Sequence, residues 1–282
     1  MWSLLEFFPE HFLINIVDVG AALLDKPPYQ PLVDAGRARV IGFEPNAHEC
    51  ARLNLEYGGA HAFFPYFVGD GNSAIFHETN WAPTGSLYEP NSALLEKFQN
   101  LADVTRPVAT HSVSTVRLDD VVEIDDVDFI KIDVQGSELT IFQNALRVLQ
   151  SVLLIRTEVE FVELYKNQPM FADVDMFLRG RGFQFHTFAG FGRRTFKPLV
   201  LNGDLNSGLH QDIWSDALYV RDWMRLDALD ELKLKKYAVL AHDLLKSFDL
   251  AHLVLAALDG KTGGNIAAAY LARLTAQPVP AA

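Results

Sequence analysis

The stretch Asp128–Leu139, DFIKIDVQGSEL, constrains the chain more than any other. Phe129, Ile130, Ile132 and Val134 are apolar and mostly β-branched, as in a buried strand, and Gln135-Gly136-Ser137 supplies turn chemistry and a helix N-cap before Glu138 and an apolar run. The pattern predicts a central strand followed by a crossover helix. In an open parallel sheet ligands bind beyond the carboxyl ends of the strands, and Asp133 falls near such an end. A carboxylate there costs desolvation energy unless it is paired or used, although capping a turn is an ordinary alternative for Asp.

The rest of the chain repeats the alternation. Phe12–Val19 and Ala38–Phe43 read as the first two strands, ending in Asp18-Val19-Gly20 and Glu44-Pro45-Asn46, and Pro27, Pro28 and Pro31 confine the helix between them to Tyr29–Asp34. A helix Ala47–Tyr57, a strand Ala62–Val68, a turn Gly69–Asn72 and an antiparallel excursion from Ser73 follow. Then come the polar insert Thr79–Asn91, a helix Ser92–Leu101 and a strand His111–Leu118. After the central strand, a helix Glu138–Leu149, a strand Ser151–Val159, a helix Phe171–Leu178 and late strands Phe183–Phe188, Thr195–Lys197 and Ala217–Arg221 complete an α/β fold with a doubly wound sheet. Beyond Asp222, leucines at helical spacing predict two or three helices, so the chain divides into an α/β domain, 1–222, and a helical C-terminal extension, 223–282. The short Ala/Pro tail Ala276–Ala282 is expected to be mobile.

The charge is uneven: the net −12 sits almost wholly in the first 222 residues, because Trp223–Ala282 carries seven Lys/Arg against six Asp/Glu. An acidic body argues against nucleic-acid binding, which runs on phosphate neutralisation, and is compatible with a cationic ligand. The single cysteine, Cys50, excludes an intrachain disulfide and a cysteine-based zinc site, and no His pair has metal-binding spacing. MWSLLEFFPEHFL lacks a basic start and a small-residue cleavage site, and no apolar run approaches the ~18 residues of a bilayer span; a cytoplasmic, membrane-free protein is expected.

Gly20 at the first strand end lets the backbone turn tightly, and Glu44, 24 residues on, sits where a carboxylate can accept hydrogen bonds from ribose hydroxyls. That pair points to a nucleoside-containing cofactor. A dinucleotide needs its pyrophosphate held at a Gly-rich turn and a well-formed helix N-terminus, whereas Ala22, Leu23 and Leu24 follow Gly20 and prolines crowd the helix. S-adenosylmethionine has no phosphate, and its sulfonium suits the acidic ends Asp18, Glu44 and Asp133.

Asp18-Val19-Gly20-Ala21, Gly42-Phe43-Glu44-Pro45, Thr84-Gly85-Ser86-Leu87, Leu118-Asp119-Asp120 and Asp128–Leu139 together resemble FkbM-type S-adenosylmethionine-dependent methyltransferases over roughly residues 12–222. Glu158-Val159-Glu160-Phe161, Leu164-Tyr165 and Gln168–Phe171 are similar to a bacterial branch of that family. The resemblance implies a class I methyltransferase fold, a mostly parallel seven-stranded sheet with its last strand antiparallel, and usually O-methylation of a sugar or natural-product hydroxyl. It further implies that Asp18, Gly20 and Ala21 line the methionine part of the cofactor, that Glu44 binds ribose, that Asn46 and Asp70 lie near the adenine, and that Asp133 lies beside the transferring methyl. Where the family usually reads D-x-G-A-N-x-G, this chain has Ala22 and Leu24. A methyltransferase-like domain that has lost catalysis and serves as a binding or assembly module is therefore the alternative.

For methyl transfer to a hydroxyl, Asp133 is the expected base, with Glu138 and Glu158 as alternatives. Glu138 also suits a helix start, Asp119 and Asp120 suit a turn, and Glu158 and Glu160 are expected to face opposite sides of their strand. Arg193, Arg194 and Lys197 are expected to protect a strand edge rather than to bind an anionic acceptor. Thr84–Asn91 is a long loop, expected to cover the active-site mouth and help select the acceptor. The C-terminal helices are expected to offer an apolar face to a second copy or partner.

Overall fold

The computed structural model describes residues 2–22 and 26–276. The readings made on Leu24 and on the tail from 277 onward lie outside the described residues. In chain order the elements are β1 (Ile14–Val19), α1 (Gln30–Asp34), β2 (Ala38–Phe43), α2 (Ala47–Tyr57), β3 (Ala62–Phe64), β4 (Phe67–Val68) and β5 (Ser73–Thr79). Next come α3 (Ser92–Leu95), α4 (Leu101–Val104), β6 (Pro107–Val116), β7 (Phe129–Ile132), α5 (Glu138–Gln143), β8 (Leu154–Glu160) and α6 (Phe171–Arg179). The last are β9 (Phe183–Arg193), β10 (Asp212–Arg221), α7 (Glu231–Val239), α8 (Phe248–Thr262) and α9 (Ile266–Thr275).

Seven strands form one sheet in the order β3-β2-β1-β7-β8-β10-β9. β1 runs parallel to β7, β7 to β8 and β2 to β3, while β10 runs antiparallel to β8. This is the class I methyltransferase arrangement of an α/β fold. β7 sits at its centre because Phe129, Ile130 and Ile132 are all buried, as a strand covered on both faces requires. The order reverses between β1 and β7, so ligands are expected beyond the carboxyl ends of these two strands. A second, three-stranded sheet, β4-β6-β5, holds the antiparallel excursion.

The chain separates into two compact units, an α/β unit (Asn15–Leu24, Val40–Val220) and a helical unit (Met1–Ile14, Asp25–Arg39, Arg221–Ala282). The helical unit thus takes in N-terminal residues that the sequence assigns to the α/β domain. The reason is their apolar and charged side chains. The Trp2 ring lies 4.3 Å from His242, the Arg273 guanidinium stacks 4.2 Å over Trp2 and pairs with Glu6, and Lys235 bridges Glu10 and Glu231. A π-helical turn, Leu240–Leu244, joins α7 to the segment before α8. Among the described residues no helix is long and apolar enough to cross a membrane.

Two predicted helices are shorter than the hydrophobic pattern indicates. Of Ser92–Leu101 only Ser92–Leu95 is helical, and Asn100, with a left-handed φ of 62°, precedes a separate α4 that runs on to Val104. The helix from Glu138 stops after Gln143, and Val148–Gln150 forms a separate 3-10 turn whose start is capped by Asp119, which accepts the Arg147 and Val148 N–H groups. Thr195–Lys197 is not a strand; Phe196 forms only an isolated bridge with Phe98.

Candidate active site at the carboxyl ends of the central strands

The first strand end is shaped by a close approach. Gly20 adopts φ +77°, and a Cβ there would stand 2.0 Å from the Asp133 carbonyl oxygen, so only glycine fits between the ends of β1 and β7. Gly20 and Ala21 both donate their N–H groups to the Phe43 carbonyl at 3.0 Å, which draws the turn toward the end of β2. Glu44 follows Phe43 and is buried, with 8% exposure. Its Oε1 accepts the Asn46 N–H at 2.8 Å, and the Ala22 N–H also donates to the carboxylate. Burial outweighs these donors and holds its pKa above the ordinary value. Two donors leave about two of its four lone-pair sites open, as a carboxylate that binds a diol requires.

Behind that turn lies a pair of ions. Asp18 and Lys131 are register partners on β1 and β7, and the Lys131 ammonium sits 3.2 Å from Asp18 Oδ1 while donating to the Gly20 carbonyl at 2.7 Å. Burial opposes the ammonium charge, but the carboxylates of Asp18 and Asp133 outweigh it and hold the pKa above its usual value. Lys131 is absent from the set of functional residues read from the sequence. A signal existed: a lysine within an apolar central strand needs a buried counterion, and Asp18 interrupts the neighbouring strand in the same way.

The turn after β7 gathers the acids. Gln135 has φ +58°, and its amide nitrogen donates to Asp133 Oδ1 and to Glu158 Oε2, each at 2.8 Å. The buried Tyr165 hydroxyl lies 3.0 Å from Gln135 Oε1 and 2.9 Å from the Thr84 carbonyl, and its single hydrogen is shared between these two acceptors. Ser86 Oγ donates to the Gln135 carbonyl at 2.6 Å. The segment Thr84–Asn91 is therefore fastened to the turn that carries Asp133. The Ser86 side chain and Thr84 are buried, and Pro90 bridges Tyr165.

Glu138 is fully enclosed, and its Oε1 accepts the Val134 N–H at 2.8 Å, closing the turn from the first residue of α5. Burial raises its pKa to about 7. Glu158 and Glu160 are also raised well above the ordinary value, by burial first and then by neighbouring carboxylates that include Asp133 and Glu138. The expectation that Glu158 and Glu160 face opposite sides is corrected: residues two apart in a strand share a face, and both feel Asp133 and Glu138. On the same face Arg156 pairs with Asp216 at 2.5 Å.

Other residues are occupied in local structure. Asn46 Oδ1 caps α2 through the His48 and Glu49 N–H groups. Asp70 lies in the turn after β4, where its oxygens accept from the Asn72 backbone and side chain and from Thr115. Asp120 pairs with Arg117, Arg193 with Asp212, Lys197 with Glu96 and His111 with Glu78. Among the described residues no group of three or more His, Cys, Asp or Glu is arranged to hold a metal ion. The structure thus brings Asp18, Gly20, Ala21, Ala22, Glu44 and Asp133 together at the ends of three adjacent strands. It adds Lys131, Gln135 and Tyr165 to them.

The Methyltransferase FkbM domain matches residues 18–185, more than half of the chain. Among solved structures, the chain is similar to a putative methyltransferase from Thermoplasma acidophilum, at 10% identity and TM-score 0.38, over 75% of this chain and 69% of that one. It is also similar to the 23S rRNA methyltransferase ErmE, at 11% identity and TM-score 0.34, over 77% of this chain and 65% of that one. A third, LepI in complex with SAM, has 9% identity and TM-score 0.32, over 76% of this chain and 44% of that one. No curated protein matches the chain.

Proposed function

The chain belongs to the FkbM methyltransferase domain family, and on that premise we propose that it transfers a methyl group from S-adenosylmethionine to a hydroxyl of a small molecule, a sugar or a secondary metabolite. One observation carries the cofactor part. Glu44 is a buried carboxylate, raised in pKa by that burial, whose backbone donors among the described residues are Asn46 of its own turn and Ala22 of the loop after β1. Holding such a group charged costs free energy that two ribose hydroxyls donating to it would offset. Gly20 lets the ends of β1 and β7 approach so closely that a Cβ would meet the Asp133 carbonyl, and the methionine end is assigned to that backbone junction.

When bound, S-adenosylmethionine supplies an electrophilic methyl on a sulfonium. The protein's part is to hold the acceptor oxygen in line and to take its proton. Asp133 is the base in this reading, because it follows the central strand and, among the described residues, only its Oδ1 receives a hydrogen bond, from Gln135. Glu138 is committed to the Val134 N–H, and Glu158, tied to Gln135 just as Asp133 is, lies within β8 rather than beyond the end of the central strand. The acceptor enters beside Thr84–Asn91, which excludes water from one side.

Calorimetric titration with S-adenosylhomocysteine tests the reading. Saturable binding to the wild type is expected, weakened about 10- to 100-fold in Glu44→Ala, the value of hydrogen bonds to a charged group. Screening hydroxyl-bearing glycosides and polyphenols for S-adenosylhomocysteine release should then give a turnover that Asp133→Asn lowers by about 100-fold or more. No binding up to millimolar ligand would overturn the proposal and leave a binding or assembly module.

A further inference from the structure

Gln135 stands out within the turn that carries Asp133. It is not glycine, yet it holds a left-handed φ of +58°, a conformation that costs a side-chain-bearing residue about 1–2 kcal/mol. Gly136, at φ +102°, already gives the turn its reversal. A purely structural turn would therefore be served better by Gly or Asn at 135, so the cost of glutamine must be offset by what its side chain does.

That side chain is fully employed. The nitrogen has two hydrogens, one toward Asp133 Oδ1 and one toward Glu158 Oε2, and the oxygen accepts from Tyr165. No other uncharged side chain of this length donates to two carboxylates and accepts from a hydroxyl at once; glutamate would present a third acid to the same pair. The contact with Asp133 also chooses between its oxygens. Oδ1 is tied to Gln135, and among the described residues Oδ2 receives no hydrogen bond. The backbone carbonyl of Gln135 and the Tyr165 hydroxyl meanwhile fasten Ser86 and Thr84 to the same residue.

We propose that Gln135 is a positioning residue: its amide fixes the Asp133 carboxylate so that Oδ2 alone faces the acceptor, and couples that orientation to the seating of Thr84–Asn91. This rests on the methyltransferase reading for its consequence but not for its geometry. An acceptor that displaces the segment pulls on Ser86 and Tyr165, and the pull reaches Asp133 through one side chain. The orientation of the base is therefore set only when the segment is seated.

Two variants test this. Gln135→Gly removes the amide while suiting the left-handed backbone, so the fold and S-adenosylhomocysteine affinity are expected to be retained. Backbone amide exchange at residues 84–88 should rise about tenfold, because the Tyr165 hydroxyl that holds the Thr84 carbonyl loses its contact with the Gln135 amide oxygen while the Ser86 bond to the backbone remains. With an acceptor from the hydroxyl screen, kcat should fall about 100-fold with the cofactor KM unchanged, the scale of a misplaced reacting group. Gln135→Glu is near-isosteric but cannot donate when ionised. Its turnover relative to wild type should rise at least about fivefold from about pH 8 to about pH 6, as protonation restores one donor, a signature that a packing role does not produce. Unchanged exchange at 84–88 in Gln135→Gly, or turnover within about threefold of wild type, overturns the proposal. Failure of the wild type to bind S-adenosylhomocysteine defeats the methyltransferase reading instead, and the exchange measurement still decides the coupling.

Discussion

Lys131→Met is expected to destabilise the protein by about 3–5 kcal/mol, the cost of removing one partner from a buried ion pair. Asp18 is 1% exposed, and its charge is matched by an ammonium 3.2 Å away that also donates to the Gly20 carbonyl. Methionine preserves the length of the side chain, so packing along β7 is kept while the charge and the hydrogen bond go. Urea unfolding measures the loss. The double variant Lys131→Met with Asp18→Asn should recover about 2 kcal/mol or more of it, because the carboxylate that needed the ammonium is gone. A single variant within about 1 kcal/mol of wild type would show the pair to be energetically idle. The position of the pair gives it a second consequence. Asp18 lies one residue before the end of β1 with its charge answered from within the protein, and the same ammonium holds the Gly20 carbonyl, so loss of Lys131 is expected to loosen the Gly20 turn as well.

What the sequence reveals and what it hides follow from the range of the interactions. β1, β2 and β7 are legible because a strand covered on both faces must be mostly apolar along its length, and each run is followed within two residues by Gly, Pro or Asp. Gly20, Glu44 and Asp133 are legible because they fall at strand ends, where a parallel sheet keeps its ligands. Gln135 and Tyr165 are not. They are 30 residues apart in the chain and meet across 3.0 Å, a contact that neither residue's local pattern announces. The same holds for the N-terminal residues that join the helical unit: Trp2 and His242 pack together although 240 positions separate them. The facing of Glu158 and Glu160, by contrast, needs nothing long-range, since strand alternation alone puts both on one side.

Stability is expected to fall as the pH rises from about 5.5 to about 8, opposite to the usual acid lability of proteins. Glu138 is the clearest source. Its pKa moves from the ordinary 4.5 to about 7 in the folded chain. A group raised in this way contributes its full stabilisation below the unfolded value of 4.5, and loses it as the pH climbs through the folded value of about 7. A shift of that size corresponds to about 3 kcal/mol in total, of which about 2 kcal/mol disappears across the stated window. Glu44, Glu158 and Glu160 are shifted in the same direction by burial and push the same way. Half-buried His61 and buried His242, held below their ordinary 6.5, act in the opposite sense as the pH falls beneath that value, so the total curve mixes both. Glu138→Gln separates them, because it keeps an oxygen to accept the Val134 N–H and removes the titration. Chemical unfolding of both proteins at the two pH values should show the wild type losing about 2 kcal/mol more than the variant. Parallel losses in the two would mean that Glu138 gives up its proton without cost, and that the acids around Asp133 are better hydrated than their burial implies.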